Sequence, residues 1–330
     1  MRSRGPKGGR RSTRNVAAVI RHHHHQTEVN PLSKTSRWLG TALVVLGCAV
    51  AACAVLGPLL FEVIAYRTSP TSLNQIIGAD AAALFVVVPV TFVAAWFVLT
   101  GRRGGALLGL APAVFAAYTY TQLIVGNEYL DRPGNVERFF PLLLGVFILA
   151  VAVAMTAWRA ASDDPLPMPS RRANRVGGVI LLVIAAFIVI GLHVPTYLDA
   201  LSDDPTNVGY LSSPTAFWLV KFMDLGIVAP AALVVGVAMF RGAAWARRPM
   251  YALVGGYALL AASVAGMAIT MYVTDDPDSS PAMVAASLVA AVIMSALATY
   301  LYRPIVRRAP GPVAADPTDA APRTLARTQS

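Results

Sequence analysis

The stretch FWLVKFMDLGIVAP, residues 217–230, opens an apolar run that continues to Phe240. The run is long enough to cross a bilayer, whose hydrocarbon core takes about 20 helical residues. It nevertheless carries Lys221 and Asp224. A charge at the centre of a membrane helix costs about 2.5–3.5 kcal/mol on insertion scales. Residues three apart lie on one helix face, so Trp218, Lys221, Asp224 or Leu225, and Val228 form a stripe. Lipid offers neither charge a partner, which turns the stripe toward protein. Lys221 is then the nearest expected partner of Asp224, and no other expected span holds opposite charges.

The rest of the chain agrees with a membrane setting. Of 330 residues 56% are hydrophobic and only 13% charged, against roughly 25% charged in ordinary globular domains. Mean hydropathy is +0.59. The charges are segregated, leaving long uncharged runs that read as spans. Eight are expected, at about 38–65, 79–100, 104–126, 139–158, 177–193, 216–240, 249–273 and 282–302. The fold class is therefore all-α, a polytopic bundle of eight membrane helices over 38–302. Residues 1–37 and 303–330 read as disordered tails, the first basic and the second Pro/Ala-rich.

Net charge is +10, and the distribution of Lys and Arg explains it without nucleic acid. With the N-terminus inside, only Arg67, Arg132 and Arg138 of the 27 fall in outer loops. That pattern predicts both termini in the cytoplasm of a protein of the cell membrane. Trp38, Trp96, Trp158 and Trp245 fall at the expected inner interface, and Trp218 at the outer one. The basic first tail is expected to associate with anionic lipid. The outer loops are acidic, with Glu128, Asp131 and Glu137 after the third span. Asp199, Asp203 and Asp204 follow the fifth, and Asp275, Asp276 and Asp278 the seventh. They read as solvated loop surface, the alternative being a cation-attracting vestibule.

This topology gives depth to the polar residues. Lys221 and Asp224 lie in the outer half of the sixth span, and Lys221 is shallow enough to snorkel. Asp80 opens the second span and Glu62 ends the first. Tyr118 and Gln122 share one face of the third, and His193 reads as an interface residue closing the fifth. The inner halves are nearly pure Ala, Val, Leu, Gly and Ile, so the polar set suggests a pocket open to the outside. Pro89, Pro112 and Pro230 interrupt helices, as static kinks or as broken helices beside a site. Spans two and six each hold an early Asp and a later Pro, hinting at two parallel four-helix halves. Cys48 and Cys53 read as small packing residues.

No Walker A loop, dinucleotide turn, HExxH or GxSxG is present, so no cofactor is expected and any catalytic residue is left unknown, Asp224 or Asp80 being the general acid/base of the enzyme alternative. His22–His25 reads as a low-complexity tract rather than a metal site. The stretch KxxDLGIVxP, carried by Lys221, Asp224, Leu225, Gly226 and Pro230, with Asp80 and Tyr118, resembles a loose group of bacterial multi-spanning proteins of unknown function. That resemblance implies no activity. The expected function is a transporter-like protein handling a small solute or lipid, with candidate ligand or ion contacts at Lys221, Asp224, Asp80, Tyr118, Gln122 and Glu62. A membrane-embedded enzyme acting on an envelope precursor at the outer face and a non-catalytic scaffold are the alternatives.

Overall fold

The computed structural model describes residues 34–102, 104–161 and 170–307. Eight helices are long and apolar enough to cross a membrane: α1 Lys34–Leu56, α2 Pro70–Leu99, α3 Gly105–Val125, α4 Val136–Ala160, α5 Arg171–Ala200, α6 Pro214–Phe240, α7 Ala244–Val273 and α8 Pro281–Val306. Among the described residues there is no strand, and the chain is an all-α polytopic membrane protein. The loops after α1, α3, α5 and α7 form one side, called here the serine side after Ser69 and Ser213. The other is the arginine side. The bulk of both tails and the His22–His25 run lie outside the described residues, while Lys34–Arg37 and Arg303–Val306 are helical.

The first span differs from expectation. It stops at Leu56, nine residues short, because Gly57-Pro58 ends the helix. Pro58 has no N–H and clashes with a preceding carbonyl. The apolar residues that follow form a loop closed by Glu62 N–H donating to the Gly57 carbonyl and Ile64 N–H to the Leu56 carbonyl. Glu62 sits exposed in this loop at a positive φ of 54°, so it lies outside the span rather than ending it.

Three helices are broken in the same way. π-helical turns occupy Ala83–Val87 in α2, Phe187–His193 in α5 and Asp224–Val228 in α6. Each ends two residues before a proline: Pro89, Pro195 or Pro230. A proline cannot donate, and its ring collides with the carbonyl one turn back. The turn widens, and bonds of wider reach appear. Val88 N–H donates to Ala83 O, Val194 N–H to Val189 O and Ala229 N–H to Asp224 O. Pro112 in α3 produces no such turn.

These breaks divide packing partners. The serine-side half of α2 packs on α7, and its arginine-side half on α1. The serine-side half of α6 contacts α3, and its arginine-side half packs on α5. α3 pairs with α4 and α7 with α8, while α3 and α7 meet at the centre. Leu43, Leu46, Leu107, Leu110, Phe115, Leu181 and Tyr251 are among its most buried side chains. Small residues let backbones touch, as expected where lipid supplies no hydrophobic drive for helix association. A Cβ on Gly78 would overlap the Gly266 backbone across α2 and α7, and one on Gly178 would meet Gly236 across α5 and α6.

The halves α1–α4 and α5–α8 carry matching devices. Both α2 and α6 start with Ser-Pro-Thr and place an Asp eleven residues after the serine: Ser69 and Asp80, Ser213 and Asp224. The Ser213 hydroxyl donates to that of Ser69 at 2.9 Å. Thr71 donates to Asp276 at 3.2 Å, and Thr215 to Glu128 at 2.6 Å. Each of those acids lies three residues past its span, α7 ending at Val273 and α3 at Val125.

Candidate functional site

Ten residues separate Asp224 from Pro214, so its Cα lies about 15 Å into α6 at 1.5 Å per residue. Asp224 opens the π-helical turn. Its carboxylate accepts two bonds from other helices. The Tyr118 hydroxyl on α3 donates to Oδ1 at 2.6 Å, and His193 Nε2 on α5 lies 2.9 Å from Oδ2. Gln122, one turn beyond Tyr118, lies within reach of the same hydroxyl. Tyr257 on α7 donates to the Val228 carbonyl at 2.6 Å, fixing the far end of the turn.

The expected direct pair of Lys221 with Asp224 is not formed. The Lys221 ammonium instead donates to Thr196 Oγ1 at 2.5 Å and to the His193 carbonyl at 3.4 Å, and it faces His193 Nδ1 at 3.5 Å. It also lies 4.1 Å from the centroid of the Phe217 ring. His193 is therefore no interface residue. It is 4% exposed and stands between the lysine and the aspartate, which are 5% and 9% exposed. The physical reason is the break at Pro195, which sets the His193 ring between α5 and α6, where Asp224 takes a partner with geometry better than that of a neighbour on its own helix.

The chemistry of this chain follows from donor and acceptor roles. An ammonium facing Nδ1 leaves that nitrogen as acceptor, so Nε2 carries the proton and donates to the carboxylate. The order is Lys221, His193, Asp224, Tyr118, with the imidazole standing between the ammonium and the carboxylate. A proton taken up here converts the imidazole to a cation or neutralises the carboxylate, and either change alters what Lys221 faces. Above the ammonium, Phe217, Trp218, Tyr197 and Tyr210 make edge-to-face and tilted contacts with centroids 5.3–6.2 Å apart.

Asp80 is placed elsewhere. It is 8% exposed and stands ten residues into α2, in the same position along its helix as Asp224. Around it are Cys53 of α1, Tyr66 of the following loop and Tyr120 of α3. Its Oδ2 and the Tyr66 hydroxyl have no hydrogen-bond partner among the described residues. Burial, and then the neighbouring Asp80 charge, push the Tyr66 hydroxyl well above the ordinary tyrosine range. Tyr118 and Tyr120 thus point to the two different acids, as residues two apart on a helix must.

The acidic loops hold the site's frame together. Glu128 accepts from the backbone N–H and hydroxyl of Thr215 at 2.7 and 2.6 Å, capping α6. Asp199 accepts from Thr206 and from the Asn207 N–H. Arg67 forms a two-pronged contact with Glu137 and donates to the Arg132 carbonyl. These carboxylates are engaged in fixed contacts at the helix ends and the loops joining them. Among the described residues no cluster of His, Cys, Asp and Glu is disposed to hold a metal.

His193, which reads from the sequence as an interface residue, is a buried member of this site. Its signal was a proline two residues on, and the Ser-Pro-Thr repeat was the signal linking Asp80 with Asp224. The chain matches no family of known proteins, and no curated protein or solved structure is similar to it.

Proposed function

We propose that this protein is a proton-coupled carrier of a small anionic solute, with its coupling site at Lys221, His193, Asp224 and Tyr118. The observation that carries this reading is the buried chain from ammonium through imidazole to carboxylate, assembled from three helices of which two are broken by π-helical turns at the site. Ionisable groups inside a bundle favour ion or proton handling over static structure, and interrupted helices beside them are the usual setting of carrier sites. Lys221 is the anion-binding group, and Asp224 with His193 is the proton acceptor. A second buried acid on α2 also favours transport over a closed structural pair.

Reconstitution tests the proposal. Proteoliposomes containing a trapped pH dye are offered a panel of small carboxylates, amino acids and inorganic phosphate. Solute-dependent proton entry in wild type, lost in folded Asp224→Asn protein, is the expected result. Folded wild-type protein that moves no protons with any of these solutes would overturn the carrier reading in favour of a scaffold.

A further inference from the structure

On the arginine side, between α2, α3, α7 and α8, lies a groove of about 720 Å³. Its lining includes none of Lys221, His193, Asp224 and Tyr118. Its rim residues Val86, Val93, Ser295 and Val306 are exposed on the outside of the bundle. Its floor is made shallow-walled by small residues, Gly255, Ala258, Ala111 and Ala298. Gly255 has no room for a Cβ, which would meet Ala111 and the Tyr302 hydroxyl. That hydroxyl is already used, donating to the Tyr251 carbonyl at 2.6 Å. Pro89, beside the π-helical turn of α2, lines the opposite wall.

The length and the charge of this groove point to one occupant. From Ser295 to Arg307 the α8 wall spans twelve residues, about 18 Å of helix. Half of a bilayer's hydrocarbon core is about 15 Å. The groove therefore matches one acyl chain within a single leaflet. At its open end stand Arg303 and Arg307, four apart at the end of α8, and no acid lines the groove among the described residues. Guanidinium groups bind phosphate through paired, directional bonds.

We infer that this groove binds an anionic phospholipid, with its phosphate on Arg303 and Arg307 and one acyl chain along α2 and α8. The preference is for a lipid of net negative charge over a zwitterionic one with the same chains, because the two cations meet no acid among the described lining residues. The site is independent of the carrier reading, since none of its residues contacts the Asp224 chain.

The experiment uses the full chain purified in neutral detergent, with phosphatidylglycerol, phosphatidylcholine of identical chains and inorganic phosphate as probes. Phosphatidylglycerol should raise the unfolding temperature with the logarithm of its concentration once above its Kd and bind about tenfold tighter than phosphatidylcholine. Inorganic phosphate should not substitute. Arg303→Ala with Arg307→Ala should abolish the preference, and Ala298→Leu, which narrows the groove, should weaken both lipids. A phosphatidylglycerol carrying a photoreactive acyl chain should label wild-type peptides within 86–93 and 295–306, which tests the site even if the arginine variant fails to fold. Equal binding of the two lipids, full replacement by free phosphate, or labelling confined to other helices would overturn the assignment.

Discussion

Asp224 and Asp80 occupy the same position in two helices that begin alike, yet their surroundings differ. Asp224 accepts from Tyr118 and His193, with Lys221 beyond. Asp80, among a cysteine and tyrosines, has no partner for its Oδ2 and no cation beside it among the described residues. Counted back from the ends of their spans, the position in α7 that corresponds to Tyr118 is Gly266. There α7 presses its backbone onto Gly78 instead of offering a hydroxyl. One half of the molecule has built a charged relay where the other has closed two helices together. A buried carboxylate is held charged by its partners, and without them it is better neutral. The position of an acid in a helix thus says little about its chemistry, and the neighbouring helices decide it.

The comparison breaks most visibly on removing the charges. Asp224→Leu leaves His193 buried without its acceptor and Lys221 buried without the nearby negative charge, and losing one side of a buried pair typically costs about 3–5 kcal/mol. Asp80→Asn keeps the shape of a neutral acid and should cost less than about 1 kcal/mol. Thermal unfolding of the two variants in detergent measures the gap. Similar losses would mean that the halves do not differ as described.

A double-mutant cycle sharpens the same contrast at smaller scale. His193→Leu and Asp224→Leu should couple by about 1–3 kcal/mol, and Lys221→Leu with Asp224→Leu by less. The geometry requires this order, because the imidazole touches the carboxylate and the ammonium does not. A larger lysine coupling, or additivity of the histidine pair, would restore the direct ion pair read from the sequence.

The smallest effect is in the loop after α7. Asp276, buried, accepts from Thr71 and from Asn74 at 2.8 Å, and Asp278 N–H donates to it at 3.0 Å. Burial, and then the charge of Asp276, hold the Asp278 carboxyl above its ordinary value. A raised folded value favours the protonated form, so its contribution to stability is present below the unfolded value of about 3.9 and is lost as pH rises past the folded one. Asp278→Asn should therefore raise the unfolding temperature slightly at neutral pH and leave it unchanged in acid. A lower unfolding temperature at neutral pH would reverse the sign.

Much of this was readable from residue type. Uncharged runs located eight helices, and burial of a charge demanded a partner for Asp224. The partner itself was not readable, because it comes from 31 residues away, on a helix whose break is marked only by Pro195. Spacing along one helix suggested Lys221, and nothing local in the sequence says that another helix supplies a better ligand. The overlong first span had a different origin. Leu59, Leu60, Phe61, Val63 and Ile64 are as apolar as a helix interior, and hydropathy outweighed the stop written in Gly57-Pro58. Glu62 was placed wrongly for that reason alone. Glu128 was taken as loop surface because its use, capping α6 from 87 residues away, leaves no trace in the spacing.

The cap at Glu128 has a mechanical consequence. It bolts the top of α6 to the end of α3, which also carries Tyr118, while below the π-helical turn α6 rests on α5, which carries His193. Asp224 stands at the joint, gripped from both sides. A twist of the upper segment carries the tyrosine along with the carboxylate, leaves the imidazole behind with α5, and draws Lys221 off Thr196 as well. Of the two bonds on Asp224, the one to His193 is the clutch: it must slip for the two parts of the helix to turn independently.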